Sequence, residues 1–268
     1  MSSSKAGLWG SGDAYEKYMG RWSRRIAPHF LDWLSVPAQA NWIDIGCGTG
    51  VLSSTILAKC KPGSVVGIDP SAAFVETAQM EVSDLHFHCQ QGNGEALPFP
   101  DGEFSVAVSA LVLNFVKDKI KAVTEMKRVV RPDGVVALYV WDYAGHMQIM
   151  RYFFDTATEL DVGAREFDDG VQAPICRPGP LSSLFNEVGL ADIEVRYFDI
   201  PAAFDNFDDY WMPFLGGTGS APKYCTSLAP DAQARLREKL RSRLPTGPDG
   251  EILLAVRAWA IKGRVANS

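Results

Sequence analysis

The sequence predicts an α/β protein: a doubly wound, mostly parallel, seven-stranded sheet that carries an inserted, mainly helical cap. Three observations predict it. Short apolar runs alternate with helix-length amphipathic segments from Asn41 to Trp141. A glycine-rich turn, Gly46-Cys47-Gly48-Thr49-Gly50, follows the first of those runs. Two stretches, 143–179 and 204–245, then interrupt the rhythm, which resumes with a helix and strand after the first and a strand after the second.

The first dozen residues are rich in Ser and Gly and read as loose chain. From Asp13 to Leu34, residues Tyr15, Tyr18, Met19, Trp22, Ile26, Phe30 and Trp33 recur at spacings of three and four, a helical stripe that stops at Val36-Pro37. Strands are expected at Trp42–Ile45, Val65–Ile68, His86–Cys89, Phe104–Ser109 and Val135–Trp141. Each except the third is a short apolar run, the pattern of strands buried on both faces of a parallel sheet. The intervening helices are expected at Val51–Lys59, Ala72–Val82 and Lys117–Val130, the last with Ile120, Val123, Met126 and Val130 facing inward. Such alternation implies βαβ units with right-handed crossovers. Arg131-Pro132-Asp133-Gly134 reads as a structural turn. Further on, a short helix at Pro180–Val188 precedes a strand at Ile193–Ile200; a charged helix at Asp231–Arg243 precedes a closing strand at Glu251–Lys262. This gives an N-terminal helical segment, 1–36, and one domain, 37–268, with cap insertions near 143–179 and 204–245.

At 268 residues and 47% apolar content, the chain can bury a sizeable core. A formal charge of −6 argues against a nucleic-acid partner. The five cysteines have no C-x-x-C spacing and the histidines do not cluster with them, so neither a zinc site nor a disulfide framework is expected. Scattered thiols, no apolar leader and no run long enough for a membrane span suit a cytoplasmic protein.

The chemistry is carried by Asp44-Ile45-Gly46-Cys47-Gly48-Thr49-Gly50. The backbone must bend sharply between strand and helix and let a ligand approach, which glycine permits. Dinucleotide sites read G-x-G-x-x-G; here the third glycine comes one position early, because residue 51 is Val. Asp44 is a second difference. Its carboxylate would repel a pyrophosphate and attract the α-ammonium of an amino acid. Asp69, at the end of the second strand, is placed to accept hydrogen bonds from ribose hydroxyls. The reading is an aminoacyl-nucleoside.

Asp44–Gly50, Gly67-Ile68-Asp69-Pro70, Gly92-Asn93-Gly94-Glu95-Ala96-Leu97-Pro98-Phe99, Phe104–Asn114 and Arg131–Gly134 occur in the order found in class I S-adenosylmethionine (SAM)-dependent methyltransferases. The chain resembles that Rossmann-like family, and its small-molecule branch with the ubiquinone/menaquinone-biosynthesis methyltransferases in particular, over residues 40 to 142. The resemblance implies SAM as cofactor and S-adenosylhomocysteine as product. It implies that Asp44, Gly46, Cys47 and Gly48 meet the aminoacyl part and ribose, that Asp69 holds the ribose hydroxyls, and that Pro70 flanks the adenine. Asn93, where the family often has Asp, would accept from the adenine amino group, and the Gly94 N–H would face the ring. Ala110 and Leu111 would lie near the methionine end. Tyr15, Tyr18, Met19 and Arg24 would belong to a lid, with Arg21 or Arg24 pairing with the cofactor carboxylate.

No catalytic dyad is expected, because SAM is itself a strong methyl donor. His146 and Asp142 are the candidates for a base, should the acceptor need one. Two aromatic groups, Trp141, Tyr143, Tyr152, Phe153 and Phe154, then Phe207, Tyr210, Trp211 and Phe214, suggest an apolar or aromatic small acceptor, with packing as the other reading. The expected activity is methyl transfer to a small molecule. The alternatives are a SAM-binding protein without transfer and, disfavoured by the glycine spacing, a NAD(P)-dependent oxidoreductase.

Overall fold

A computed structural model of the chain describes residues 20–217 and 219–267. It contains seven strands: β1 (Asn41–Ile45), β2 (Ser64–Asp69), β3 (Phe87–Gln91), β4 (Phe104–Ala110), β5 (Val130–Trp141), β6 (Ala191–Phe204) and β7 (Ile252–Arg264). They form one sheet in the order β3-β2-β1-β4-β5-β7-β6. The pairs β1/β2, β2/β3, β1/β4 and β4/β5 are all parallel. The expected fold class is the observed one.

This order has a mechanical consequence. From β1 the chain winds outward through β2 to β3, then returns to the other side of β1 to place β4 and β5. The winding direction reverses between β1 and β4, and at such a point the loops leaving the strand ends diverge and open a crevice. The Gly46–Gly50 turn leaves β1 and Ala110-Leu111 leaves β4, so both border it.

The helices are α1 (Arg21–Leu34), α2 (Val51–Cys60), α3 (Ala72–Glu81), α4 (Lys119–Val129), α5 (Gln148–Leu160), α6 (Asp169–Gln172), α7 (Pro178–Glu187), α8 (Phe207–Trp211), α9 (Ser220–Ser227) and α10 (Pro230–Arg243). The chain divides into two compact units. Of the described residues, the core unit holds Arg24–Val140, Ile175–Phe198 and 258–267; the second unit holds 20–23, Trp141–Pro174 and those within Asp199–Arg257.

In the core unit the central strands are sealed on both faces: Trp42, Ile43, Val65, Ala107, Val108, Val136 and Ala137 have no measurable exposure. Each strand–helix element adds its apolar side to this layer. Leu52 and Ile56 of α2, Val75 and Ala78 of α3, and Val123 and Met126 of α4 are buried. Ile120 fits the same helical period but is 45% exposed, in the first turn of α4, which begins at Lys119. On α1, Ile26 and Phe30 are buried, and Phe30 meets Tyr139 edge-on at 4.9 Å between ring centroids. Strand β5 starts earlier than expected. Val130 pairs with Phe104, and pairing resumes at Val135 with Val106, so Arg131–Gly134 is looped out of the ladder. Asp133 takes φ +61° in that loop, the tight turn its Pro-Asp-Gly sequence suits.

The second unit has its own core. Ile149, Met150, Phe153, Phe154 and Ala157 form the buried face of α5. Phe207, Tyr210, Trp211 and Phe214 are buried as well. Phe153 stacks on Phe214 at 4.5 Å, and the Tyr210 hydroxyl donates to the Ile149 carbonyl at 2.9 Å. The two aromatic groups of the sequence therefore pack this core; only Tyr152 among the side chains of α5's aromatic run stays part-exposed.

Candidate functional site

The site at the sheet's reversal point is built from the ends of β1, β2 and β4 and the loop after β3. Gly46, Gly48 and Gly50 have φ of +76°, +54° and +85°, a left-handed conformation that side chains with a Cβ rarely adopt. The turn is stitched to β2. The N–H groups of Gly46 and Cys47 both donate to the Ile68 carbonyl, at 2.7 and 3.1 Å. The Gly48 N–H donates to Asp69 Oδ2 at 3.0 Å. The other oxygen of Asp69 accepts the Ser71 N–H at 2.8 Å. Burial raises the carboxyl pKa of Asp69, and these two N–H donors oppose that rise. Each Asp69 oxygen keeps a second acceptor position for a hydroxyl.

Glycine at 46 and 48 answers two different constraints. A Cβ on Gly46 would lie 2.5 Å from the Val112 side chain, so the loop after β4 needs that space. A Cβ on Gly48 would have nothing within 4 Å, so it faces open volume. Gly94 closes another side of the site. Its Cβ would come within 2.9 Å of the Ile45 side chain, which places the Asn93-Gly94 loop against the end of β1.

Asp44 is the centre of the electrostatics. It is fully buried at the end of β1, where burial raises its pKa to about 7, with the nearby Asp69 charge adding to the rise. Ser53 Oγ, from the first turn of α2, donates to Asp44 Oδ2 at 2.8 Å and opposes it. The other oxygen, Oδ1, is buried with no partner among the described residues. An orphaned buried carboxylate oxygen costs stability unless something donates to it. The arrangement fits a cationic, hydrogen-bond-donating group, such as an α-ammonium.

The remaining residues expected at the site fall into place unequally. Cys47 turns its thiol into a buried cluster with Val75, Ala78 and Cys89, and burial raises its pKa, so only its backbone borders the turn. Pro70 is exposed beside the turn at Ser71. The Asn93 side-chain oxygen accepts the Glu95 N–H at 2.9 Å, so it serves its own turn and has one acceptor position left. Leu111 has φ +61°, an unusual strain for a branched aliphatic residue, and its N–H donates to the Tyr139 carbonyl at 2.8 Å. Arg24 is exposed on α1. Tyr15, Tyr18 and Met19 lie outside the described residues.

In the second unit, Asp142 is spent on its own turn. Its Oδ2 accepts the His146 backbone N–H at 2.8 Å, and its carbonyl accepts from Gly145 and Met147. His146 lines a depression of about 400 Å³ with Gln148, Arg151, Tyr152, Asp155 and Arg243. Sequence reasoning missed Ser53, Val112 and the two arginines. Ser53 was the most accessible of these, being a hydroxyl in the first turn of the helix that follows the glycines.

Residues 43–138 match the family described as "Methyltransferase domain". The trans-aconitate 2-methyltransferase of Deinococcus radiodurans is 26% identical over 245 residues, covering 86% of this chain and 92% of that protein. The ubiquinone/menaquinone biosynthesis C-methyltransferase UbiE of Hahella chejuensis is 37% identical over 109 residues, 39% of this chain and 44% of that protein. Among solved structures, the YcgJ protein of Bacillus subtilis superposes with a TM-score of 0.60 at 20% identity, over 92% of this chain and all of that one. Phosphoethanolamine N-methyltransferase 2 of Haemonchus contortus, in complex with S-adenosyl-L-methionine, gives 0.63 at 15% identity, over 100% of this chain and 61% of that one. The fold and the strand-end turn define a methyltransferase domain. By that domain the chain is a SAM-dependent methyltransferase, and it is similar to methyltransferases that act on small molecules.

Proposed function

We propose that the cofactor lies across the β1, β2 and β4 ends, with its α-ammonium on Asp44. The orphaned, buried Oδ1 of Asp44 is the observation that carries this reading. Gly46 and Gly48 leave room for the aminoacyl part and ribose, Asp69 accepts from the ribose hydroxyls, and Pro70 flanks the adenine. Asn93 uses its remaining acceptor position for the adenine amino group, with the Gly94 N–H beside the ring. The backbones of Cys47, Ala110 and Leu111 border the methionine end. When bound, SAM supplies an electrophilic methyl group; the protein's part is to orient the acceptor and exclude water. Isothermal titration of the wild type and of Gly48→Ala with S-adenosylhomocysteine tests the placement. A methyl at Gly48 enters open volume, so we expect a folded protein whose affinity falls at least about tenfold. Unchanged affinity refutes it.

We infer further that the acceptor is polar and carries a carboxylate. The aromatic side chains that favour an apolar acceptor are buried in a core, whereas His146, Gln148, Arg151, Tyr152, Asp155 and Arg243 line the depression of the second unit. Arg151 is paired with Asp155 and Asp168, and Arg243 with Glu159, so these groups give the depression a polar wall. The full-length relative named for trans-aconitate methylation points the same way. A carboxylate is already ionised at neutral pH, so its methylation needs no general base, which agrees with Asp142 being committed to its turn. A screen of small di- and tricarboxylates against hydroquinones, with labelled SAM, decides the class. Transfer confined to the hydroquinones sinks the carboxylate reading. The five cysteines form no disulfide with one another among the described residues, which fits a reducing compartment, and we place the protein in the cytoplasm.

A further inference from the structure

The Asp44 carboxylate has a dedicated partner that belongs to no cofactor-binding set: Ser53. Both side chains are fully buried. Ser53 is the third residue of α2, and its Oγ donates to Oδ2 at 2.8 Å while Oδ1 stays unpartnered. The bond therefore fixes the carboxylate's rotation and decides which oxygen is presented. It also decides which form the group takes, since a hydroxyl donor favours a carboxylate over a carboxylic acid. The groups facing Asp44 are few. From the turn there is the neutral Cys47 thiol, from β2 the Asp69 carboxylate, and from α2 Ser53 with its hydroxyl and its backbone N–H. Asp69 opposes ionisation of Asp44; Ser53 is the group that favours it. The first-turn N–H groups of α2 act in the same direction as Ser53.

We propose that Ser53 is a positioning residue for the cofactor, holding Asp44 ionised and turned so that one free oxygen meets the cofactor's α-ammonium. This rests on the placement of the cofactor at Asp44. Without Ser53, the carboxyl takes up a proton at a higher pH, and a neutral acid no longer offers a counter-charge. The Ser53 hydroxyl thus shifts the pH range over which the cofactor binds, while the Ser53 backbone N–H acts in every variant.

The test uses the full chain and S-adenosylhomocysteine, which keeps the aminoacyl tail but transfers nothing. Its dissociation constant is measured from pH 5 to pH 9 for the wild type, Ser53→Ala, Ser53→Cys and Asp44→Asn. In parallel, the carboxyl carbon of Asp44 is titrated by NMR in the free protein. The wild type should show an acid limb in affinity with a midpoint near the Asp44 value of about 7. The alkaline limb belongs to the ligand's own amino group and should be common to all variants. In Ser53→Ala the acid limb and the NMR midpoint should both rise by about one to two pH units, the scale of one hydrogen bond to a charged group. At pH 7.5 that is roughly a tenfold loss of affinity. Ser53→Cys, a weaker donor, should fall between. A loss that is the same at every pH, or an acid limb that does not move, overturns the role of Ser53. If instead Asp44→Asn keeps both its affinity and the acid limb, the cofactor does not sit on Asp44, and the placement itself fails.

Discussion

Asp44→Asn should make the ligand-free protein more tolerant of alkaline pH than the wild type while removing its cofactor affinity. The carboxyl pKa rises from 3.8 to about 7 on folding. Between those values the folded protein holds a proton that the unfolded chain has released. The stability this contributes is fully present below about pH 4, declines as pH rises, and is gone above about pH 7. Integrated over the shift, ionising Asp44 in place costs about 4 kcal/mol at alkaline pH. Asp44 has no exposed surface, so solvent screening does not discount the figure. Between pH 5 and pH 8 the wild type should lose roughly 2–3 kcal/mol relative to Asp44→Asn. For a chain of this size that is about 5–10 °C in Tm. Thermal melts of both proteins at pH 5 and pH 8 read this as a double difference, in which all other titrations and the fixed cost of the amide cancel. Saturating S-adenosylhomocysteine should restore the wild type at pH 8 and leave the variant where it was. Stability curves that run parallel in pH, within about 0.5 kcal/mol, would refute the buried, ionisation-averse carboxylate on which the argument stands.

Other outcomes follow from single contacts. Gly46→Ala places a methyl 2.5 Å from Val112 at φ +76°, so it should destabilise the protein by about 2–4 kcal/mol in denaturant melts. Adding Val112→Ala should recover the clash but not the dihedral cost; no recovery at all would point away from Val112. Tyr210→Phe removes the bond to the Ile149 carbonyl and should cost about 1–3 kcal/mol while leaving kcat and KM within twofold, as expected of a core residue. A selective rise in KM for the acceptor would return Tyr210 to the substrate. Asp168 is 4% exposed, pairs with Arg151 and also accepts the Gly170 N–H. Asp168→Ala should therefore cost about 3–5 kcal/mol by chemical denaturation, and a loss under 1 kcal/mol would show the pair to be dispensable.

Much of the core unit was legible because its physics is local. A strand buried on both faces is mainly apolar along its length, so Trp42–Ile45 and Val135–Trp141 announce themselves without knowledge of their neighbours. A chain that must bend into left-handed angles at alternate residues needs glycine at 46, 48 and 50, and the sequence has it there. Other features depend on what approaches from elsewhere. Ile120 has the period of a core position yet meets solvent in the first turn of its helix. Asp142 has the residue type of a base, but its carboxylate is turned onto the His146 N–H. The aromatic groups have the composition of a pocket wall, but Phe153 and Phe214 stack on each other.

The sequence by itself determined the order of strands and helices, the turn at which the cofactor class is read, and the acidic residues at the ends of β1 and β2. Those are matters of backbone geometry and residue type within short windows. Only the tertiary structure decided which of those groups are satisfied and which are not. Asp69 receives two backbone N–H groups, Asp44 receives one hydroxyl, and one oxygen of Asp44 receives nothing from the described residues. Hydrogen-bond satisfaction is set by what packs across the fold, and a buried polar atom left without a partner is the point at which structure asks for a ligand.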